Sequence, residues 1–311
     1  MARKIRNLNQ AVKKQVIELV GNFSFPSSSN GDNKRMKHIT IITGANSGIG
    51  FEFARQLFNK NMGNEESEFW LIARNYEKLE EAKNKILSQD CASAVRNLPE
   101  IKTISMDISG SAGVERFKDL VLREKAAREY DIDTLVNNAG FGTYGPFAET
   151  PVEKEMSMID LNCTSLTGLC GVALPYMTRG SKIINVASLA SFLPLGNFAV
   201  YAATKSYVLS FTVALAAELK ERGIKVSALC PGSVSTDFAN VASNGARKEV
   251  LHGKSPEKVV AHCLKKAGSG SHNIVLWSAK WKCTAFLSRF VGRYAGARFT
   301  YLFSKRPYKH D

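Results

Sequence analysis

Three polar side chains near the middle of the sequence have the types and spacing of a proton-transfer site. Tyr201 follows Ser188 by thirteen residues, and Lys205 lies four residues beyond Tyr201. Residues four apart share one face of a helix, so the Lys205 ammonium can lie beside the Tyr201 phenol. A nearby cation favours the phenolate and would lower the Tyr201 pKa from its usual value of about 10. The pattern predicts acid–base chemistry on an oxygen atom of a bound substrate.

The glycines of residues 43–50, T-G-A-N-S-G-I-G, predict a phosphate-binding loop. An apolar run ends directly before this segment, and a segment of helical spacing follows it. Gly44 allows a tight turn, while Gly48 and Gly50 leave space for a dinucleotide and for packing of the helix on the sheet. The helix N-terminus then directs amide groups and the positive end of its dipole at phosphate. The expected loop contacts are Gly44, Asn46, Ser47, Gly48, Ile49 and Gly50.

The end of the second apolar run predicts a preference for NADP(H). A carboxylate about 20 residues after the glycine loop would bind the ribose 2′-hydroxyl of NAD. The sequence has Ala73 at that position, and Arg74 follows it. The Arg74 guanidinium suits a 2′-phosphate in both charge and geometry. We therefore expect Arg74, assisted by Asn75, to determine the choice of cofactor.

Short apolar runs alternate with longer segments of helical spacing between residues 38 and 277. Runs that are apolar nearly throughout are typical of parallel strands that are covered on both faces. The alternation predicts an α/β fold, a single doubly wound (Rossmann) domain with about seven parallel strands. The expected strands are 38–43, 69–73, 101–106, 132–136, 181–187, 224–230 and 272–277.

Taken in order, these features resemble the short-chain dehydrogenase/reductase family. The motifs that carry the resemblance are T-G-x-x-x-G-x-G (43–50), N-N-A-G (137–140), Asn162, Ser188, Y-A-A-T-K (201–205) and P-G-S-V-S-T (231–236). The resemblance covers residues 38 to about 277. It implies an NADP(H)-dependent oxidoreductase acting on CH–OH groups, assembled as a homodimer or homotetramer.

The resemblance also implies a role for each matching residue. Tyr201 would protonate the carbonyl oxygen as hydride arrives from the nicotinamide, and Ser188 would hydrogen-bond that oxygen. Lys205 would lower the Tyr201 pKa and hold the nicotinamide ribose, and Asn162 would hold a water that links Lys205 to solvent. The other expected cofactor contacts are Asp107, Ile108, Asn138, Ala139, Gly140, Pro231, Gly232, Val234 and Thr236. No metal ligands are expected.

Two segments beside the expected site favour a hydrophobic substrate. Residues 189–200 carry no charge, and residues 141–147 contribute Phe141, Tyr144 and Phe147. Apolar walls around a few polar groups suit a ketone or secondary alcohol, such as an acyl, steroid-like or aromatic carbonyl compound. The alternative is that these aromatic side chains form only loop core. These loops contain no basic cluster that would favour a phosphorylated or carboxylated substrate.

The net charge of +14 over 311 residues is located at the two ends of the chain. Residues 1–37 carry +6 and residues 280–311 carry +7, so the segment between them is nearly neutral. We predict a basic N-terminal extension and linker at 1–37, a catalytic domain at 38–277 and a basic aromatic C-terminal extension at 278–311. No nucleic-acid-binding motif accompanies the charge, so no nucleic-acid partner is expected.

Residues 278–303 have the spacing of a basic amphipathic helix rich in aromatic residues. At 100° per residue the apolar side is formed by Phe286, Leu287, Phe290, Val291 and Tyr294, and the basic side by Lys282, Arg289 and Arg293. Such a helix could dock on the protein's own body or on a second subunit. It would equally suit peripheral contact of residues 280–311 with an anionic membrane.

Cysteine usage and the N-terminal sequence predict a cytoplasmic protein. None of the cysteines forms a C-x-x-C pair, so reduced and mostly buried thiols are expected. Charged residues interrupt the apolar stretch at 11–23, which argues against a secretory signal. No run reaches the roughly 18–20 apolar residues of a membrane span. The cysteines are Cys91, Cys163, Cys170, Cys230, Cys263 and Cys283.

A second hypothesis belongs to a different functional class. A protein of this family could bind the nucleotide without catalysis and act as a membrane-associated sensor or scaffold. The intact set of Asn162, Ser188, Tyr201 and Lys205 favours an enzyme, because a non-catalytic protein does not need proton-transfer groups.

Overall fold

A seven-stranded parallel sheet forms the centre of the protein in the computed structural model, which describes residues 36–88, 97–248, 253–270 and 272–309. The predicted N-terminal extension, apart from residues 36 and 37, and Cys91 lie outside the described residues. The strands are β1 Lys37–Thr43, β2 Ser67–Ala73, β3 Glu100–Ser105, β4 Tyr130–Asn137, β5 Lys182–Val186, β6 Lys225–Leu229 and β7 Ile274–Val275.

The strand order is β3-β2-β1-β4-β5-β6-β7, and every neighbouring pair is parallel. The order reverses direction between β1 and β4, which is where an open α/β sheet forms a ligand crevice at the carboxyl ends of its strands. The predicted doubly wound fold is confirmed. The last strand is shorter than the expected 272–277, because only two of its residues pair with β6.

Helices cover both faces of this sheet. Successive residues of a strand go to opposite faces: Trp70 and Ile72 join one buried cluster, and Phe69 and Leu71 join the other. The helices are α1 Gly48–Lys60, α2 Tyr76–Leu87, α3 Gly110–Ala127, α4 Val152–Ile159, α5 Leu166–Ala173, α6 Ala199–Glu218, α7 Phe238–Ala242, α8 Pro256–Ser269, α9 Ala279–Leu287 and α10 Arg293–Phe303.

Two helical stretches, Val152–Tyr176 and Ala199–Glu218, are long and apolar enough to cross a membrane by length and composition alone. Both lie against the sheet. Leu166 and Leu169 of the first and Val208 and Leu215 of the second belong to the same buried cluster. Their apolar character is therefore explained by packing in the core.

The C-terminal extension forms two helices where its periodicity predicts one. The helical path ends after Leu287 and resumes at Arg293, because Gly292 has an extended ψ of 132°. Both helices pack on the body: Trp281 of α9 and Gly296 of α10 are buried. Gly296 lies against Leu193, since a Cβ on this glycine would come within 2.8 Å of the leucine side chain.

Candidate active site

The four expected catalytic side chains converge at the carboxyl end of the sheet. Ser188 follows β5, and Tyr201 and Lys205 lie in the first two turns of α6. Asn162 lies in a π-helical segment, Asp160–Ser165, between α4 and α5. Each of the four residues is at most 9% exposed. Segments of π-helix occur often at functional sites because they displace side chains from the regular helical position.

The Ser188 side chain lies close enough to the Tyr201 phenol to lower the Tyr201 pKa. The Ser188 hydroxyl donates a hydrogen bond to the Pro231 carbonyl at 3.5 Å. Ser188 is held by its local structure: its backbone is extended, and its Oγ accepts a hydrogen bond from the Ala190 amide at 3.1 Å. The hydroxyl is thereby fixed beside the phenol.

Lys205 is buried beside the same phenol and points its ammonium at the backbone. Its Nζ donates a hydrogen bond to the Val186 carbonyl at 2.8 Å and lies 5.8 Å from the centroid of the Tyr201 ring. Burial lowers the Lys205 pKa to about 8, because the charged form loses its hydration. The Lys205 charge therefore titrates close to neutrality.

The spacing predicts a lowered Tyr201 pKa, and this prediction is wrong, because the pKa is raised in this structure. Burial raises the Tyr201 pKa, and the nearby Ser188 side chain offsets this only in part. Tyr144 raises it further. The phenol is enclosed by Phe198, which stacks on it at 4.1 Å between ring centroids. Tyr201 therefore holds its proton well above neutral pH, which suits a proton donor.

The Asn162 side chain fastens the π-helical segment to the neighbouring loop. Its Nδ2 donates hydrogen bonds to the Phe141 carbonyl at 3.0 Å and to Thr204 Oγ1 at 3.1 Å, and its Oδ1 accepts one from the Phe141 amide. Gly140 lies directly beside it, because a Cβ there would be 2.7 Å from Asn162 Oδ1. The site thus depends on a glycine at this position.

The glycine loop has the backbone that its sequence requires. Gly44 has φ of +63° and Gly48 has φ of +55°, values that favour glycine. A Cβ on Gly50 would come within 2.1 Å of the Gly44 carbonyl oxygen. Asn138 closes the loop by donating from Nδ2 to the Thr43 and Gly44 carbonyls at 3.0 and 3.1 Å. The Asn138 side chain therefore supports the glycine loop by binding backbone carbonyls of the loop.

The glycine loop faces the segment that follows β6. A Cβ on Gly48 would be 3.1 Å from Thr236 Cγ2. Ser47 is the N-cap of α1, and its side chain makes no capping hydrogen bond. The first turn of α1 contains no acidic residue, so the positive end of its dipole is not neutralised there. A glycine cradle, an uncompensated helix N-terminus and a facing threonine fit the diphosphate of a dinucleotide.

The residues expected around the adenosine lie at the ends of β2 and β3. Arg74 is exposed, and the ion pairs of the described residues include none between Arg74 and a carboxylate. Asn75 caps α2 through its Oδ1, which accepts from the Lys78 amide at 2.7 Å. Asp107 is exposed and accepts from the Ser109 amide, while Ile108 is buried.

The segment after β6 is covered by a residue that sequence reasoning missed. Gly232 lies under Trp281 of α9, because a Cβ on this glycine would be 2.4 Å from the indole Nε1. The Pro231 carbonyl accepts a hydrogen bond from the Leu189 amide at 2.8 Å. Val234 is buried and pairs with Lys254 in an isolated bridge. The C-terminal extension thus helps to hold the expected nicotinamide-binding segment.

An aromatic cluster surrounds the Tyr201 phenol. Tyr144 packs edge-on against Phe198 at 4.8 Å, and Phe198 stacks on Tyr201. Phe141, Leu195 and Phe238 pack against this cluster. Phe147, which the sequence had suggested as a further wall residue, is 58% exposed. Met158 and Phe238 were not identified from the sequence, because neither belongs to a motif.

The sequence model of the short chain dehydrogenase family matches residues 38–247, which is more than half of the chain. The chain therefore belongs to the short-chain dehydrogenase family, and the resemblance seen in its motifs is confirmed.

Curated relatives of similar sequence include proteins of bacteria and animals. An uncharacterized oxidoreductase of Staphylococcus saprophyticus is 32% identical over 215 residues, which cover 68% of this chain and 85% of the relative. The very-long-chain 3-oxoacyl-CoA reductase of Rattus norvegicus is 30% identical over 243 residues, 75% of this chain and 70% of the relative.

Among solved structures, a short-chain dehydrogenase from Sphingobium yanoikuyae in complex with NADPH has a TM-score of 0.66. It is 25% identical, with 81% of this chain and 94% of that chain covered. A putative NAD(P)-dependent gluconate 5-dehydrogenase from Beutenbergia cavernae with bound NADP has a TM-score of 0.64 at 25% identity, covering 80% and 98%.

Proposed function

We propose that this protein is an NADP(H)-dependent oxidoreductase that transfers hydride between nicotinamide and a hydrophobic ketone or secondary alcohol. The observation that carries this proposal is the convergence of Ser188, Tyr201 and Lys205, all buried, between the glycine loop and the aromatic cluster. Membership of a dehydrogenase family supports it. We also propose residues 38–277 as the catalytic domain, with 1–37 and 278–311 as extensions.

Tyr201 is the proton donor in the reductive direction. Its raised pKa keeps the phenol protonated, and Ser188 can hydrogen-bond the same carbonyl oxygen and orient it. When bound, NADPH supplies the hydride to the carbonyl carbon. Tyr201 gives its proton to the oxygen, and the Lys205 ammonium favours the negative charge left on the phenol. Asn162 would hold the water that links Lys205 to solvent for proton resupply, as the family resemblance implies.

The cofactor lies along the carboxyl ends of β1, β2 and β6 in this proposal. Arg74 would bind the 2′-phosphate, since it is exposed at the end of β2 and is not neutralised by a described carboxylate. The glycine loop would hold the diphosphate, and Lys205 the nicotinamide ribose. The remaining contacts would come from Asn46, Ser47, Ile49, Asn75, Asp107, Ile108, Asn138, Ala139, Gly140, Pro231, Gly232, Val234 and Thr236.

The substrate is a hydrophobic carbonyl compound, such as an acyl or steroid-like ketone. The aromatic cluster of Tyr144, Phe198 and Phe238 gives the substrate side of the phenol an apolar wall. One relative is named as a very-long-chain 3-oxoacyl-CoA reductase, and that name describes a carbonyl substrate with a long apolar chain. A substrate of this kind would suit the apolar wall beside Tyr201.

A panel of hydrophobic ketones and alcohols, assayed by NADPH absorbance with the full chain, tests the proposal. We expect turnover of medium- or long-chain ketones and slow turnover of short polar ones. Binding of NADPH without turnover of any panel member would instead support the non-catalytic sensor or scaffold.

We further propose a cytoplasmic protein that contacts an anionic membrane surface through its C-terminal segment. The described cysteines are all free thiols, which agrees with a reducing compartment. One face of α9 and α10 packs on the body, and the other carries exposed aromatic side chains among cations. The aromatic residues above half exposed in these two helices and the connection between them are Phe286, Phe290, Tyr294, Phe299 and Phe303.

A homodimer or homotetramer completes the proposal. Met156 and Ile159 of α4 and Tyr207 of α6 form an exposed apolar surface on neighbouring helices, with exposures of 61%, 45% and 44%. Such a surface suits a symmetric contact between two copies. Sedimentation of the full chain and of Met156→Arg checks this, because a monomeric wild-type protein would contradict it.

A further inference from the structure

The aromatic cluster beside the phenol contains an arginine that comes from the far end of the chain. Arg306 follows α10, and its guanidinium lies over the Phe198 ring with Cζ 5.2 Å from the ring centroid. Phe198 in turn stacks on Tyr201. One aromatic side chain therefore connects this guanidinium to the catalytic phenol.

The backbone on both sides of Arg306 is fixed to the substrate loops. The Gly196 amide donates to Thr300 Oγ1 at 2.8 Å, and Asn197 Nδ2 donates to the Tyr301 carbonyl at 2.9 Å. Beyond Arg306, the Lys309 amide donates to the Ser243 carbonyl at 3.0 Å. The side chain itself donates from Nη1 to the Gly196 carbonyl at 3.0 Å. The tail is thus fixed against the segment between Ser188 and Tyr201 and against the residues that follow α7.

The charges around Arg306 are unbalanced. Burial lowers the Arg306 pKa, Tyr144 raises it, and a second cation, Arg247, lowers it again. Burial raises the pKa of Tyr144, and the positive charges of Arg247 and Arg306 lower it. Within the described part of the chain, no carboxylate forms an ion pair with Arg306 or Arg247. Beyond its hydrogen bond to the Gly196 carbonyl and its contact with Phe198, the Arg306 guanidinium retains a positive charge and further N–H donors that suit an anionic group.

Tyr144 links these cations to the reacting centre. Its ring contacts Phe198 at 4.8 Å, and its electrostatic effect reaches both Tyr201 and Arg306. A substrate whose carbonyl lies at Tyr201 would therefore have the Tyr144 phenol nearby and the Arg306 guanidinium on the other side of Phe198. This arrangement suits a second oxygen function on the substrate, of negative charge.

We propose that Arg306, assisted by Arg247 and the Tyr144 phenol, binds an anionic oxygen group, a carboxylate or phosphate, on the substrate. The inference rests on the proposed function and deepens it: the substrate is an amphiphilic ketone or alcohol with an apolar body and an anionic group. It also revises the sequence-based expectation, which found no basic cluster in the substrate loops, because the cation comes from the C-terminal tail.

The test compares matched ketones of equal length that end in a carboxylate, a phosphate or the neutral methyl ester. With wild-type full chain and NADPH, we expect kcat/KM to be higher for an anionic ketone than for the ester. Arg306→Met should lower kcat/KM for the anion by about tenfold or more, through KM, as loss of a charge-assisted hydrogen bond predicts. The ester should change by less than about threefold. The carboxylate and phosphate arms identify the group.

Two further variants separate recognition from folding. Lys305→Met removes the same charge from the adjacent exposed position and should leave the preference unchanged. Arg306→Lys keeps a cation and should retain part of the preference. Equal losses for anion and ester in Arg306→Met, or no preference in the wild type, would overturn the proposal.

Binding distinguishes failure of this inference from failure of the proposed function. Calorimetry of the full chain with dodecanoate, dodecyl phosphate and dodecanol requires no turnover. Tighter binding of an anion that is lost in Arg306→Met supports the anion site even if no ketone is reduced. Turnover of neutral ketones without any Arg306-dependent binding of an anion supports the enzyme and rejects the site.

Discussion

The Lys205 ammonium donates a hydrogen bond to the Val186 carbonyl at 2.8 Å, at the last residue of β5. Ser188 lies two residues after Val186, so one backbone segment positions both the Lys205 ammonium and the Ser188 hydroxyl. Burial has opposite effects on the two titrating groups: it lowers the Lys205 pKa and raises that of Tyr201. The phenol therefore remains protonated over a range of pH in which the lysine loses its charge.

We expect the rate of ketone reduction to fall as the pH rises through about 8, where Lys205 becomes neutral. Below that pH the ammonium stabilises the negative charge that Tyr201 acquires when it gives up its proton, and above it this stabilisation is lost. A profile of kcat against pH measures the effect. Lys205→Met should be slow throughout and lack this fall. The same fall in that variant would assign it to another group.

Tyr201→Phe should keep NADPH binding and lower kcat by at least about a hundredfold, because the ring remains while the proton donor is removed. The stacking on Phe198 does not require the hydroxyl, so the variant should fold. Fluorescence titration measures NADPH binding, and NADPH absorbance measures turnover. Turnover close to that of the wild type would reject Tyr201 as the donor.

Arg74→Ala should weaken NADPH far more than NADH. The loss of charge-assisted hydrogen bonds to a 2′-phosphate predicts an increase of about ten- to a hundredfold in the KM for NADPH. Lys85→Ala removes an exposed cation from the end of α2 and is the matched control. Initial rates with each cofactor decide the question. Equal losses for NADPH and NADH in Arg74→Ala would mean that the cofactor preference lies elsewhere.

The sequence predicts those parts of the protein that are determined by residues close together in the chain. The strands, the glycine loop and the i, i+4 pair of Tyr201 and Lys205 all follow from residues close together in the chain. The contact of Trp281 with Gly232 does not, because no local pattern states which glycine an aromatic residue will cover. The position of Arg306 beside Phe198 was missed for the same reason.

Local periodicity also misled in two ways. It treated residues 278–303 as one helix, although the backbone leaves the helical conformation at Gly292, where ψ is 132°. The i, i+4 spacing suggested that Lys205 would lower the Tyr201 pKa. In the folded protein the removal of water raises the pKa of the phenol, and the Lys205 ammonium is directed to a backbone carbonyl. Burial is a property of the whole fold and is not encoded in the spacing.

The exposed aromatic residues of α9, α10 and the connection between them should bind vesicles that contain anionic phospholipid. Deletion of the segment is a poor test, because Trp281 and Arg306 also build the site. We expect Phe290→Ser combined with Phe303→Ser, at residues 73% and 71% exposed, to reduce flotation with such vesicles while leaving the fold intact. Leu122→Ser, at an exposed apolar position on α3, is the control. Absence of flotation in the wild type would refute the membrane contact.

A buried ion pair between Glu68 and Arg128, away from the candidate active site, should contribute strongly to the stability of the fold. Glu68 of β2 is fully buried, and its Oε1 accepts hydrogen bonds from Arg128 Nη2 and from Trp70 Nε1, both at 2.6 Å. Burial alone would raise the Glu68 pKa, but the hydrogen bonds from Arg128 and Trp70 lower it to about 2. Glu68 is therefore ionised in the folded protein at neutral pH.

Arg128→Met should lower the free energy of unfolding by about 3–5 kcal/mol at neutral pH, because it leaves a buried carboxylate without its main partner. The loss should shrink as the pH falls from the ordinary glutamate value of 4.5 towards about 2, since the pair stabilises the fold only while Glu68 is ionised. Urea unfolding at several pH values measures this. Lys118→Met, which breaks an exposed pair with Glu115, should cost less than about 1 kcal/mol. Equal losses in the two variants would show that the Glu68 site is not the stabilising pair described.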